Sequence, residues 1–258
     1  MRYYVVSDIH GFYTEMKQAL EEKGFFSDTL PHKLIICGDL MDRGYEAREV
    51  QQFVLDLMDK DEIILIRGNH EDLMMDMIYN WKNKSYLLSH HRSNKTTETA
   101  LQLTDAVGIL DDNCDEVKEQ LLDSPFVKGI IPSMIRFYET KHYIFVHGWI
   151  PCCRFVENRV QRFEVVDDWR NADPEDWYFA RWTNGMEAWN GGVREEGKTI
   201  VCGHWHCSYG HSVIEHKGSE FGADADYTPF YGDGIIAIDA CTAVSGKVNC
   251  IVIDDEEL

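Results

Sequence analysis

Leu34-Ile35-Ile36-Cys37-Gly38-Asp39-Leu40-Met41-Asp42-Arg43-Gly44 is the stretch whose reading decides the fold. Its first four residues form a short apolar run of the kind that reads as a buried strand, and the run stops at a Gly-Asp pair. A strand ending this way points a carboxylate out of the edge of a sheet, where α/β proteins place their chemistry. Asp39, Asp42 and Arg43 then crowd into five residues bracketed by Gly38 and Gly44. Such a loop has the side chains to hold a metal ion and a phosphate together.

Working outward, the same punctuation recurs. Residues 2–7 are β-rich and run into Asp8-Ile9-His10-Gly11. A helix is expected from about Thr14 to Lys23, with Thr14 as its cap, Met16, Ala19 and Leu20 facing inward, and Gly24 as its stop. Val50, Phe53, Val54, Leu57 and Met58 fall at helical spacing within 46–59, and Glu62–Ile66 is a third strand leading into Arg67-Gly68-Asn69-His70-Glu71. Strand and helix alternate three times, which argues for a layered α/β fold. Residues 72–125 read as a polar helical insert over the sheet ends, either a lid or a scaffold helix pair. Strand character returns at Met134–Tyr138 and at Tyr143–Val146, the latter entering His147-Gly148-Trp149. An acidic, tryptophan-rich stretch over 152–198 reads as irregular or short helical structure. Thr199–Cys202 is a further strand, ending in Gly203-His204-Trp205-His206, and 235–239 with 248–253 read as a closing hairpin across Gly246. Without repeats or Pro-rich linkers, one domain over 1–258 with inserts at about 72–125 and 152–198 is the economical division.

Composition sets limits. With 258 residues, 44% of them hydrophobic, the chain can bury a full core without disulfide or metal staples. The net charge of -20 disfavours nucleic acid polymers and anionic membranes as partners. A small phosphorylated substrate remains open, because a bound metal creates its own positive field. None of the cysteines forms a C-x-x-C pair, and Cys37, Cys202 and Cys250 lie in apolar runs where a thiol acts as a small hydrophobe. The adjacent Cys152 and Cys153 read as buried loop residues. A reducing, cytoplasmic setting is expected, with no signal peptide after Met1 and no run of membrane-spanning length.

The strand ends collect Asp8 and His10, Asp39, Asn69 and His70, His147, and His204 and His206. Taken singly these are ordinary: a buried histidine is usually a satisfied core residue, Asn69 a turn residue, Asp42 and Arg43 a surface ion pair. Their joint occurrence, each after an apolar run, favours a shared site. Imidazoles, carboxylates and an amide oxygen suit Mn, Fe or Zn better than Mg or Ca, and the set exceeds what one ion needs, so two divalent ions are expected.

Asp8-x-His10, Gly38-Asp39-x-x-Asp42-Arg43-Gly44, Gly68-Asn69-His70-Glu71, His147-Gly148 and Gly203-His204 resemble the signature of the calcineurin-like metallophosphoesterases. The D-R-G and G-N-H-E forms are most similar to the phosphoprotein phosphatase branch, including its short bacterial and phage members and the symmetrical diadenosine tetraphosphate hydrolases. The resemblance covers nearly the whole chain and extends to the closing strands around Ile238-Asp239 and Gly246-Lys247. It implies a four-layer αββα sandwich of two mixed β-sheets flanked by helices, with a helical insert. By the same resemblance Asp8 and His10 hold the first metal, Asp39 bridges, and Asn69, His147 and His204 hold the second. His70 is then the general acid, Asp42 orients it, and Arg43 binds the phosphate, joined by Arg181 of Ala180-Arg181-Trp182. The branch usually has Gly-His-Thr; this chain has the G-H-x-H form of the wider superfamily, which implies that His206 completes the first metal site. The expected activity is hydrolysis of phosphate monoesters by direct attack of metal-bound hydroxide, with Mn the leading metal and phosphoserine or phosphothreonine in proteins as substrate. The alternatives are a nucleotide substrate, such as diadenosine tetraphosphate or a cyclic nucleotide, and a non-enzymatic binding protein on the same fold.

Overall fold

The computed structural model describes residues 1–81, 87–109, 113–157 and 160–257. Strands β1 (Arg2–Val6), β2 (His32–Cys37) and β3 (Ile63–Ile66) run parallel, with α1 (Tyr13–Lys23) and α2 (Ala47–Met58) between them. A last strand, β11 (Ile251–Asp254), pairs antiparallel with β1, giving the order β11-β1-β2-β3. The second sheet has the order β4-β5-β8-β10-β9, where β4 is Tyr138–Glu139, β5 Tyr143–Phe145, β8 Thr199–Cys202, β9 Phe230–Gly232 and β10 Ile235–Ala237. Its inner strands β5, β8 and β10 are parallel and its edge strands antiparallel. Both sheets are therefore mixed.

Side-chain alternation stacks them. Tyr3, Val5, Ile35, Cys37 and Ile66 point from the first sheet toward Phe145, Val201 and Ile238 of the second. The opposite face of the first sheet, with Tyr4, Val6, Leu34 and Ile36, packs on Met16 and Leu20 of α1, Val50 and Val54 of α2, and Met74 and Met77 of α3 (Asn69–Tyr79). The outer face of the second sheet, with Ile144, Ile200 and Ile235, packs on Trp177 of α6 (Pro174–Arg181) and Met186 and Trp189 of α7 (Gly185–Asn190). The result is the expected helix, sheet, sheet, helix order. Because both faces of the inner strands are covered, their sequences are apolar beyond the first residue or two. No helix among the described residues is long and apolar enough to cross a membrane.

Several details differ from the sequence reading. Helix α1 starts a residue earlier, and Thr14 makes no cap; instead Glu46 accepts its backbone N–H at 3.0 Å and its hydroxyl at 2.6 Å. Met74 and Met77 belong to α3, which covers the first sheet, so the insert proper begins later. It contains α4 (Thr96–Leu103) and α5 (Cys114–Asp123), while 82–86 and 110–112 lie outside the described residues. Of the strand expected at Met134–Tyr138, only a bridge from Ile135 to Ile66 and the start of β4 form. Within 152–198, β6 (Cys152–Glu157) and β7 (Val160–Val165) form a separate two-stranded sheet, and Cys153 is exposed, not buried. The closing hairpin does not form. β10 stays in the second sheet and β11 crosses to the first, after a short helical turn, Thr242–Ser245.

Candidate metal centre

Parallel strands present their carboxyl ends at one edge, so the loops after β1, β2, β3, β5 and β8 converge. The first two loops are stitched by backbone bonds: His10 N–H to Asp39 O at 2.9 Å, Gly11 N–H to Leu40 O at 2.7 Å, and Gly44 N–H to His10 O at 2.7 Å. Asp8, His10, Asp39, Asp42, Arg43 and His204 all stand at positive φ, between 50° and 75°. L-residues resist this conformation by about 1–2 kcal/mol each, so the surrounding structure must hold them there. Two glycines make room. A Cβ on Gly68 would lie 2.2 Å from Asp39 Oδ1, and one on Gly203 would lie 2.1 Å from Asp8 Oδ2.

Asp39 is the centre of the site. Its Oδ2 lies 3.7 Å from His10 Nε2 and 3.9 Å from His70 Nε2, and its Oδ1 lies 3.4 Å from His147 Nε2. Two groups that could hold a metal ion share it: His10, Asp39 and His70, and Asp39, His147 and His204. Asn69 joins the second through its Oδ1, 2.7 Å from His147 Nε2. Asp8 lies beside them, its Oδ2 accepting the His204 N–H at 2.9 Å. The buried Glu71 underlies the site, accepting the N–H groups of Asp39 at 3.1 Å, Leu40 at 2.9 Å and Gly68 at 2.8 Å.

The donor set fits cations. His10 Nδ1 faces Met41 O at 3.0 Å and His147 Nδ1 faces Cys37 O at 2.8 Å, which assigns the ring protons to Nδ1 and turns Nε2 lone pairs into the site. On His147 that lone pair then meets the Asn69 carbonyl oxygen, an arrangement a shared cation relieves. Burial pushes the carboxyls of Asp39 and Asp8 well above their usual range, with the Asp239 charge adding to Asp8. Burial likewise drives His10 and His147 well below theirs, and His204 down to about 3. Acids pushed up and imidazoles pushed down together describe ligands that a divalent charge would satisfy at once.

Against this cluster, His70 Nδ1 lies 2.7 Å from Asp42 Oδ2. Arg43 reaches His10 Nε2 at 3.0 Å and His70 Nε2 at 3.2 Å through its two Nη atoms. Arg181 is held through Nε by Asp72, which also accepts Arg67 Nε at 2.8 Å; among the described residues no hydrogen bond occupies the Nη atoms of Arg181. His206 is not brought into either group. Its Nε2 pairs with Glu220 Oε1 at 2.9 Å, and its ring is in contact with those of Trp205 and Phe221. The reading from sequence gave no part to Glu71, Asp72, Thr96, Thr99 or Asp239. Glu71 had a usable signal, a glutamate at the third position of a helix that reaches back to the residue before it.

A family model for calcineurin-like phosphoesterases matches residues 1–232. The chain is 37% identical over 76 residues to an asymmetrical bis(5'-nucleosyl)-tetraphosphatase of Bacillus velezensis, covering 27% of this chain and 30% of that protein. It is 32% identical over 113 residues to a symmetrical bis(5'-nucleosyl)-tetraphosphatase of Vibrio cholerae, covering 43% of this chain and 37% of that protein. The chain thus spans about a third of the length of these curated relatives. A protein serine/threonine phosphatase from Saccharomyces cerevisiae aligns in structure over 100% of this chain and 81% of its own, at 12% identity and a TM-score of 0.47.

Proposed function

Because the chain belongs to the calcineurin-like phosphoesterases, we propose that it hydrolyses phosphate esters at the Asp39 cluster, in one displacement by water and without a phosphorylated side chain. One observation carries this reading: Asp39 gathers His10 and His70 on one side and His147 and His204 on the other, and of these His70 is engaged by Asp42 and, together with His10, by Arg43. Asp8, His10 and Asp39 would hold one divalent ion, and Asp39, Asn69, His147 and His204 the other. Two such ions supply an acidified water and neutralise charge on the phosphoryl group. Mn suits the imidazole, carboxylate and amide donors, as do Fe and Zn. With Nε2 engaged by Glu220, His206 stands outside this set.

The chain's own residues do the remaining work. With Arg43 turned from Nε2 to the substrate, His70 in its imidazolium form would give the Nε2 proton to the leaving oxygen, while Asp42 holds the Nδ1 proton. Arg43 lies against the Nε2 atoms of both His10 and His70, so its planar fork can turn to two phosphate oxygens, which a lysine could not bind as a pair. Arg181, fixed by Asp72 through Nε, offers its Nη atoms as a second clamp.

For the substrate, the D-R-G and G-N-H-E forms point toward phosphoserine or phosphothreonine in proteins. A nucleotide is supported by a feature of the site itself. Trp182 and Tyr178 are exposed, and the Trp182 ring lies 6.0 Å from that of His204, so a flat aromatic surface adjoins the cluster on which a base can stack. The names of the matched relatives point the same way. The free state of all the cysteines supports a reducing, cytoplasmic setting. A panel of phosphopeptides, mononucleotides, cyclic nucleotides and dinucleoside polyphosphates at fixed Mn separates the substrates. Turnover should vanish in Asp39→Asn and fall steeply in His70→Asn on esters whose leaving oxygen needs a proton; no turnover of any member, nor of an aryl phosphate, with Mn, Fe or Zn overturns the proposal.

A further inference from the structure

Thr96, Thr99 and Gln102 recur every third residue along α4, on one face of the helix. That face meets the loop after β2. Thr96 Oγ1 donates to Asp42 Oδ2 at 2.9 Å, and Thr99 Oγ1 donates to Asp42 Oδ1 at 2.6 Å while accepting the Asp42 N–H at 3.0 Å. One turn on, Gln102 Nε2 donates to Gly44 O at 3.0 Å and its Oε1 accepts the Ala47 N–H at 2.9 Å. Thr96, Thr99 and Asp42 are all buried, so the bonds among them do not compete with bulk water.

We infer that this face of α4 is a positioning device for the acid and the phosphate clamp. It turns the Asp42 carboxylate to receive the Nδ1 proton of His70, and it anchors the backbone on both sides of Arg43. The inference rests on the reading of His70 as the proton donor in phosphoester hydrolysis. Asp42 stands at φ 75° and Arg43 at φ 68°, conformations that persist only when neighbours hold them. Among the described residues, those neighbours include α4. A carboxylate with one oxygen on His70 could still swing about its own axis; the two threonine hydroxyls remove that freedom. The insert is then neither a lid nor a distant scaffold at this point. Its helix is part of the frame of the acid.

The test replaces Thr96 and Thr99 by valine, which keeps their shape and removes both hydroxyls. Metal-loaded wild type, T96V/T99V and His70→Asn are compared on p-nitrophenyl phosphate, whose leaving oxygen scarcely needs a proton, and phenyl phosphate, whose leaving oxygen does. The double variant should lose about tenfold more kcat on phenyl phosphate than on p-nitrophenyl phosphate at little change in KM, in line with the cost of misplacing a catalytic group. Serine at both positions should restore it. In metal-free protein, the downfield proton resonance of the His70 Nδ1–H should be present in wild type, absent in His70→Asn and exchange-broadened in the double variant. If the double variant does not fold, Thr99→Val against Thr99→Ser gives the same comparison. Equal losses on the two esters, or an unchanged proton resonance, in a variant whose His70→Asn counterpart does discriminate overturns the positioning role alone. A His70→Asn protein that does not discriminate overturns the acid reading and this inference with it.

Discussion

At the scale of single residues, Asp39 can serve several strand ends only because Gly68 leaves it space. A Cβ on Gly68 would meet Asp39 Oδ1 at 2.2 Å and the Asp39 backbone nitrogen at 2.4 Å, and the backbone cannot step aside as a flexible side chain could. Gly68→Ala is therefore expected to weaken Mn binding by about 10–100-fold, the range seen when supports of metal ligands are lost. A metal titration of the folded variant checks it, and wild-type affinity would show that Asp39 tolerates displacement. The candidate ligands were legible in the sequence because each follows an apolar run that a strand must bury. Their supports were not. The helix start gives away the bond of Glu71 back to the Gly68 N–H, but nothing local reveals that its carboxylate also takes the N–H groups of Asp39 and Leu40. Thr96 and Thr99 are separated from Asp42 by more than fifty residues, and polar residues three apart on a helix ordinarily face water. The pairing of His206 with Glu220 is likewise a matter of chain return, and spacing alone does not carry it.

Elements show the same division. β1, β2 and β3 were readable because they are buried on both faces, whereas β6 and β7 are largely exposed from Cys153 to Val156 and at Arg162, Glu164 and Val165, and carry no alternation to read. β10 and β11 both have strand composition, but local preference does not say which sheet a strand joins, and here they join different ones. The element joints outside the site rest partly on charge. Glu139 at the end of β4 takes Arg170 Nε at 2.8 Å, and Lys198, next to β8, reaches it at 2.8 Å. The Arg170 guanidinium first, and Lys198 after it, hold the Glu139 carboxyl down at about 2 from an ordinary 4.5. A depressed carboxyl stabilises the fold fully above its unfolded value and loses that contribution as pH falls toward the folded one. Glu139→Gln should therefore lower the thermal midpoint by a few degrees near neutrality, with the gap from wild type closing between about pH 4.5 and 2. Melting curves across that range test it; a gap independent of pH would mean that packing, not charge, holds the joint. Arg170 is partly exposed, so salt should shrink the effect as well.

Across the whole molecule, the candidate ligands divide between the two sheets: Asp8, His10, Asp39 and Asn69 follow strands of the first, His147 and His204 strands of the second. Ions held between them would clamp the sandwich. Mn at about a hundred times its dissociation constant should add about 2.7 kcal/mol to stability, or roughly 5–10 °C in midpoint for a chain of this size, and Asp39→Asn should remove most of that shift. Calorimetry after chelation and after Mn addition measures it, and an unchanged midpoint would place the ions elsewhere. The left-handed backbone at Asp8, His10, Asp39, Asp42, Arg43 and His204 has a further consequence. Relaxing one such position, as Arg43→Gly does at an exposed residue, should raise the midpoint of metal-free protein by a few degrees while impairing phosphate binding. A lower midpoint would mean that the Arg43 contacts outweigh the strain. Drift toward thermal robustness thus runs against the chemistry at these positions. A lineage released from the need for turnover would be expected to fill them with glycine and asparagine and keep the sandwich intact, so their composition in any descendant gauges whether the centre is still in use.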